Sequence, residues 1–202
     1  MSSSLLILAS ASPRREKLLR QLGVNFVSEP QDIIEEKRID ESPEKFVKRM
    51  AEEKASSAFG KRKEKDIVVV ASDTIVVCDK RVLGKPKDKS DGIKMLLTLS
   101  NKTHRVLSAI TVANALRYKS TVSDTSVLFR MISEIEAEYY WASGEPEGKA
   151  GGYAIQGCGA VFVQSINGSY SGVMGLPLFQ TAQLLSEFGI HFLQPASESS
   201  SE

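Results

Sequence analysis

Asp73 stands inside the longest apolar stretch of the sequence, with Ile67-Val-Val-Val-Ala71 before it and Ile75-Val-Val77 after it. An ionised carboxylate in a strand buried on both faces is costly to desolvate unless it is paired, bound to a metal, or set where the sheet opens on a cleft. Those are the settings that a general base or a metal ligand requires. The plainer alternative is a strand break capped by Ser72 and Thr74, with Asp73 simply exposed. Two lysines share the anomaly. Lys54 falls four residues beyond Met50, within the stripe Val47, Met50, Ala51 and Ala58, where an inward lysine wants an anion or else snorkels along the surface. Lys85 is presented from the stiff bend Gly84-Lys85-Pro86, shortly after Asp73.

A third group of charges lies near the start. Leu5-Leu6-Ile7-Leu8-Ala9 ends in Ser10-Ala11-Ser12-Pro13-Arg14-Arg15, and Ser12 with Pro13 forms an N-cap and N1 pair that opens a helix. Backbone N–H groups, serine hydroxyls and two guanidinium forks then converge on one spot, which suits a nucleotide phosphate. A Ser-Pro helix start followed by solvated arginines is the ordinary reading of the same residues. A base reader is offered by Lys149-Ala-Gly-Gly-Tyr153-Ala-Ile-Gln156-Gly157. Its glycines let backbone approach a ligand, and Gln156 presents a carbonyl beside an NH2. That pair matches uracil or thymine and, rotated by half a turn, cytosine. A further donor such as Arg14 or Thr74 is needed to separate them, and a surface loop with no ligand remains the bland alternative.

Several chemistries are absent. The sequence has no G-x-x-x-x-G-K-[ST] loop, no G-x-G-x-x-G after a strand, no H-E-x-x-H and no G-x-S-x-G elbow. His104 and His191 lack acidic or Cys neighbours, so carboxylates must carry any acid–base work. Cys78 and Cys158 form no C-x-x-C pair.

These residues need elements to hold them. The pattern predicts a strand at 5–9, a helix from Pro13 to Gly23, a short strand around 24–28, a charged connector through Glu35 and Glu36, and a helix from Pro43 to about Phe59. Strand 66–78 turns at Asp79-Lys80 into 81–83, as a hairpin. Helix 88–99, strands 103–116 and 120–131, helix 133–142, a Gly-rich loop 144–159, strand 160–166 and helix 178–188 follow. The fold class is therefore α/β, with a long, twisted, mixed sheet flanked by helices. One domain over 1–193 and a disordered tail from Gln194 are expected.

At 202 residues, 42% apolar, with a net charge of +1, the chain carries no global field for nucleic acid or an anionic membrane. Ala9-Ser10-Ala11 imitates a signal-peptide cleavage site, but the apolar run before it is short and no Lys or Arg precedes it. A cytoplasmic protein is expected, without a membrane span.

Taken together, Leu6 to Arg15, Ala71-Ser72-Asp73-Thr74-Ile75-Val76, Gly84-Lys85-Pro86, Gly144-Glu145-Pro146, Lys149 to Gly157 and Gly175-Leu176-Pro177-Leu178 resemble the Maf family of nucleoside triphosphate pyrophosphatases, over about residues 4–190. The resemblance implies an inosine-triphosphatase-like fold with a cleft between two lobes, a homodimer, and metal-dependent hydrolysis of a nucleoside triphosphate to the monophosphate and pyrophosphate. It further implies that Arg14, Thr74 and Gln156 choose the base, in the combination of the dTTP/UTP subgroup rather than the 7-methyl-GTP branch. Asp73 would be the proton acceptor. Asp73 and Glu35, with Glu36 as second choice, would hold Mg²⁺ or Mn²⁺, while Ser10, Arg15, Lys54 and Lys85 would bind phosphate. Ala71-Ser72 before Asp73, where Gly-Ala is common, and Ala154, where Gly is common, are small departures. A non-catalytic, nucleotide-binding regulator of cell division is the reading from another class.

Overall fold

A computed structural model describes residues 4–60 and 66–192. The tail expected to be disordered lies outside them. The elements run β1 (Leu5–Leu8), α1 (Pro13–Arg20), β2 (Val27–Ser28), α2 (Pro43–Gly60), β3 (Ile67–Cys78), β4 (Arg81–Leu83), α3 (Lys89–Leu99), β5 (Thr103–Ala113), β6 (Tyr118–Phe129), α4 (Glu134–Ala142), β7 (Val163–Asn167), α5 (Tyr170–Met174) and α6 (Leu178–Glu187). Local chemistry sets most of the boundaries. The Ser12 and Ser133 hydroxyls and the Asp88 carboxylate cap α1, α4 and α3, and Glu136 completes a capping box with Ser133. Asp79 and Lys80 adopt φ of 48° and 65°, as a two-residue hairpin turn requires.

The seven strands form one mixed sheet in the order β2-β1-β3-β5-β6-β7, with β4 also beside β3. β1 runs parallel to β2 and β3, and the remaining pairs are antiparallel. β3 is the organising strand. One edge pairs with β5 from Val69 to Val77. The other edge is shared, because β1 pairs with Ile67 to Val70 and β4 with Val76 to Cys78. Between those partners, residues 71–75 have no strand beside them on that edge, and Asp73 is at the centre of the gap.

The faces of β3 follow its two-residue period. Ile67, Val69 and Ala71 pack with Ala55 and Ala58 of α2, and Ile75 and Val77 pack with Phe46, Val47 and Met50 of the same helix. On the opposite face Val68 and Val70 join α1 and α6, while Val76 and Cys78 join α3 and α4. Each face thus carries two apolar clusters, and the polar residues 72–74 lie between them.

Several elements differ from the sequence pattern, and β5 ends at Ala113 rather than at residue 116. β2 is shorter than expected. β7 begins at Val163 because Cys158–Phe162 coils into a 3-10 turn. The short α5 was not anticipated, since Tyr-Ser-Gly-Val-Met offers no helical stripe. Among the described residues no helix is long and apolar enough to cross a membrane.

His104 on β5 is 1% exposed and packs edge-on against Phe129. Its Nε2 lies 2.8 Å from the Tyr153 hydroxyl, and its Nδ1 is buried without a partner. An imidazolium would need an acceptor for both N–H groups, and burial holds the group down from 6.5 to about 4. The unfolded chain binds this proton more readily, so the contribution to stability is complete above about pH 6.5 and is lost as pH falls toward 4. The wild type should lose about 3 kcal/mol over that window relative to His104→Gln, measured by denaturant melts at several pH values. Parallel pH profiles for the two proteins would refute this.

Candidate active site

The gap beside β3 opens into a cleft of about 800 Å³, and Ser10, Arg14, Arg15, Glu35, Lys54, Asp73, Thr74, Lys85 and Gln156 all line it. They come from β3, from the β1–α1 turn and the first turn of α1, from the connector before α2, from α2 itself, and from the loops after β4 and α4.

Lys54 occupies the inward stripe of α2, and it does not snorkel. It is 7% exposed, as is Asp73, and its ammonium donates to Asp73 Oδ1 at 2.6 Å. The same nitrogen lies 2.7 Å from Glu35 Oε1, while Lys85 reaches Glu35 Oε2 at 3.3 Å. Two carboxylates and two ammonium groups therefore alternate across the cleft floor. Burial pushes the Glu35 carboxyl up, but the hydrogen bond and charge of Lys54, then Lys85, hold it net below its ordinary value. Glu36 does not line the cleft, whereas Glu35 does, together with Asp32 of the same connector.

The opposite face of β3 is arranged around Arg15. Its Nε donates to the Gly175 carbonyl at 2.9 Å, and its terminal nitrogens reach Thr74 Oγ1 at 3.3 Å and Ser10 Oγ at 3.5 Å. Ser72 donates to the same Gly175 carbonyl at 2.9 Å. Burial lowers the Arg15 guanidinium, a shift opposed by the charge of Asp73. Thr74 Oγ1 sits 2.8 Å from Ser108 Oγ. Ser108 gives its one proton to the Gly172 carbonyl at 2.6 Å, so in this pair Thr74 is the donor and its proton is already committed. Thr74 thus acts on the cleft wall through Ser108 and Arg15.

Arg14, the adjacent residue, is different. It forms no hydrogen bond or ion pair among the described residues and is half-buried, and burial lowers its guanidinium. Lys149, for which the sequence pattern implies no role, lines the same cleft. Burial, then the charge of Arg14, lowers the Lys149 ammonium. The charges of Glu145 and Glu147 oppose that shift only in part, and two cations lining one cleft within reach of each other's charge are suited to an anion. The available signal was its position seven residues before Gln156 in one Gly-rich segment. Altogether Arg14, Arg15, Lys54, Lys85 and Lys149 face Asp32, Glu35 and Asp73, an excess of positive charge suited to a polyphosphate.

Among the described residues no three His, Cys, Asp or Glu side chains cluster closely enough to hold a metal by themselves. Asp73 and Glu35 nevertheless converge on one cation, the Lys54 ammonium. Two hard oxygen donors at the edge of a cleft fit a divalent ion of the Mg²⁺ type, which takes one or two carboxylates and completes its shell with phosphate oxygens and water.

A family profile described as Maf-like protein matches residues 5–188, which takes in every cleft-lining residue named above. The chain belongs to the Maf family. Among its Maf relatives, a protein of Saccharophagus degradans named dTTP/UTP pyrophosphatase is 47% identical over 191 residues, covering 94% of this chain and 91% of that protein. A protein of the same name from Vibrio parahaemolyticus is 49% identical over 183 residues, covering 91% and 96%. Another from Alkalilimnicola ehrlichii is 48% identical over 189 residues, covering 92% and 93%. The open, mixed seven-stranded sheet with flanking helices is accordingly the Maf architecture of this chain.

Proposed function

We propose that this protein hydrolyses dTTP and UTP to the monophosphate and pyrophosphate, with a divalent metal. The observation that carries the proposal is the buried Lys54–Asp73 pair, which opens on the same cleft as the unpaired Arg14 and the exposed Gln156. The names of the relatives support this substrate class.

Asp73 Oδ1 is taken by Lys54, and Oδ2 has no hydrogen-bond partner among the described residues. That oxygen accepts a proton from water as the water attacks the α-phosphorus. The bond from the α-phosphorus to the bridging oxygen breaks, and pyrophosphate leaves with the bonding electrons. Lys54 fixes the carboxylate's orientation. Arg14, Lys85 and Lys149 offset charge on the departing pyrophosphate, while Arg15 is held in the wall and stabilises the α-phosphate oxygens. When bound by Asp73 and Glu35, a divalent ion supplies charge neutralisation at the phosphate oxygens. Gln156 accepts from the pyrimidine N3–H and donates to O4.

The decisive experiment is a panel of dTTP, UTP, CTP, ATP, GTP and 7-methyl-GTP with Mg²⁺, reading pyrophosphate release. dTTP and UTP should lead in kcat/KM by at least about tenfold, the value of one well-placed hydrogen bond. Preference for 7-methyl-GTP would reverse the base assignment, and binding without any release would favour the regulator. Gln156→Glu removes the donor to O4, so KM for UTP should rise by about tenfold while purine nucleotides change less. An unchanged profile would remove Gln156 from the base site.

A further inference from the structure

Gln156 is exposed to the cleft and hydrogen-bonds to nothing among the described residues, so its aim depends on the main chain that carries it. That main chain is held from behind. The Glu145 carboxylate, just past the end of α4, accepts from the Cys158 N–H at 2.9 Å through Oε2 and from the Gly159 N–H at 2.9 Å through Oε1. The Tyr140 hydroxyl, on the last turn of α4, donates to Glu145 Oε1 at 2.6 Å and accepts from the Ala154 N–H at 3.0 Å. One carboxylate–phenol pair thus ties down backbone two residues before Gln156 and two and three residues after it.

The glycines of the loop make room for this pair. A Cβ on Gly157 would overlap the Glu145 carboxylate, and one on Gly159 would lie 2.6 Å from the Tyr140 oxygen. Successive main-chain N–H groups around a carboxylate form a small anion nest, here filled by the protein's own side chain. Burial, then the hydrogen bond to Glu145, push the Tyr140 hydroxyl above its ordinary range, which keeps it a donor. Burial raises Glu145, but Tyr140 and the two N–H groups hold it net below its usual value, which keeps it an acceptor.

We propose that Glu145 is a positioning residue for base selection: with Tyr140 it fixes the reach of Gln156 into the cleft, and so governs affinity for the pyrimidine without contacting the phosphates. The proposal rests on the reading of Gln156 as the base-facing residue.

The test compares Glu145→Gln, Tyr140→Phe and Gly157→Ala with the wild type. Glu145→Gln keeps the size but turns an NH2 toward one of the two N–H groups, and Gly157→Ala displaces the carboxylate without removing it. Both should raise KM for UTP about tenfold and leave kcat within about threefold; for Gly157→Ala, which keeps the Glu145 charge that acts on Lys149, the inhibition constant of pyrophosphate, which has no base, should stay within about twofold. Tyr140→Phe should show the same pattern at about threefold. In a Glu145→Ala background, Gly157→Ala should add nothing further, because the clash has gone. A loop that matters only for folding would shift UTP and pyrophosphate alike, and that result overturns the proposal, as does an unchanged KM in folded variants. Calorimetric binding of UMP separates this outcome from failure of the substrate assignment. If the wild type binds UMP without hydrolysing UTP, tenfold weaker UMP binding by Glu145→Gln sustains the positioning role and equal binding refutes it. If the wild type does not bind UMP, both readings fall.

Discussion

Asp73→Asn should lower kcat for UTP by about 10²- to 10⁴-fold, the usual contribution of a general base, and leave nucleotide affinity within a few-fold. Asparagine has the shape of aspartate and can still accept the Lys54 hydrogen bond, 2.6 Å long in the wild type, through its amide oxygen. What it cannot do is take a proton. The gap in the sheet that holds residue 73 is made by the pairing of β1 and β4 with the rest of β3, so the substitution leaves the cleft walls in place. The measurements are single-turnover pyrophosphate release and calorimetric binding of UMP. A kcat within about threefold of the wild type would remove Asp73 from the chemistry.

Lys54→Met should act on stability as much as on turnover. It leaves Asp73, 7% exposed, and Glu35 facing each other with no ammonium between them. Removing one partner of a buried ion pair typically costs about 3–5 kcal/mol, and the open cleft and the partly exposed Glu35 place this case at the lower end. For a chain of this size, about 3 kcal/mol corresponds to a fall in Tm of roughly 6–12 °C. The double variant Lys54→Met/Asp73→Asn removes the stranded charge and should be more stable than Lys54→Met alone. Additive losses, or a Tm of Lys54→Met within about 2 °C of the wild type, would show that the pair contributes little.

The sequence exposed the parts of this site that obey a period. β3 reads as buried on both faces because Val, Ile and Ala alternate without relief, and a lone aspartate breaks that pattern visibly. Lys54 is legible for the same reason, since the 3.6-residue turn of α2 assigns it to the inner stripe. Distinctions between neighbours were less accessible. Arg14 and Arg15 look alike as adjacent residues at a helix start, yet successive helical positions diverge by about 100°. One guanidinium therefore bonds the Gly175 carbonyl while the other stays unpaired. The choice between Glu35 and Glu36 lies in a connector without secondary structure, where no period operates, and only the tertiary contact with Lys54 favours Glu35. The commitment of the Thr74 proton to Ser108 and the grip of Glu145 on the Gln156 loop are long-range contacts, invisible to local pattern.

The interrupted edge of β3 separates two duties that many sites combine. Asp73 belongs to the sheet, braced on the opposite edge by β5, whereas Gln156 is an exposed position on a connecting loop and takes part in no strand pairing. Divergence among descendants of this chain can then proceed unevenly. Exchanging the exposed residue 156, while keeping Lys149 and the buried Tyr153 and Ile155 of the same loop, should redirect which nucleotide is accepted while the hydrolytic apparatus is inherited intact, so new selectivity can arise in such a scaffold without reinventing the reaction.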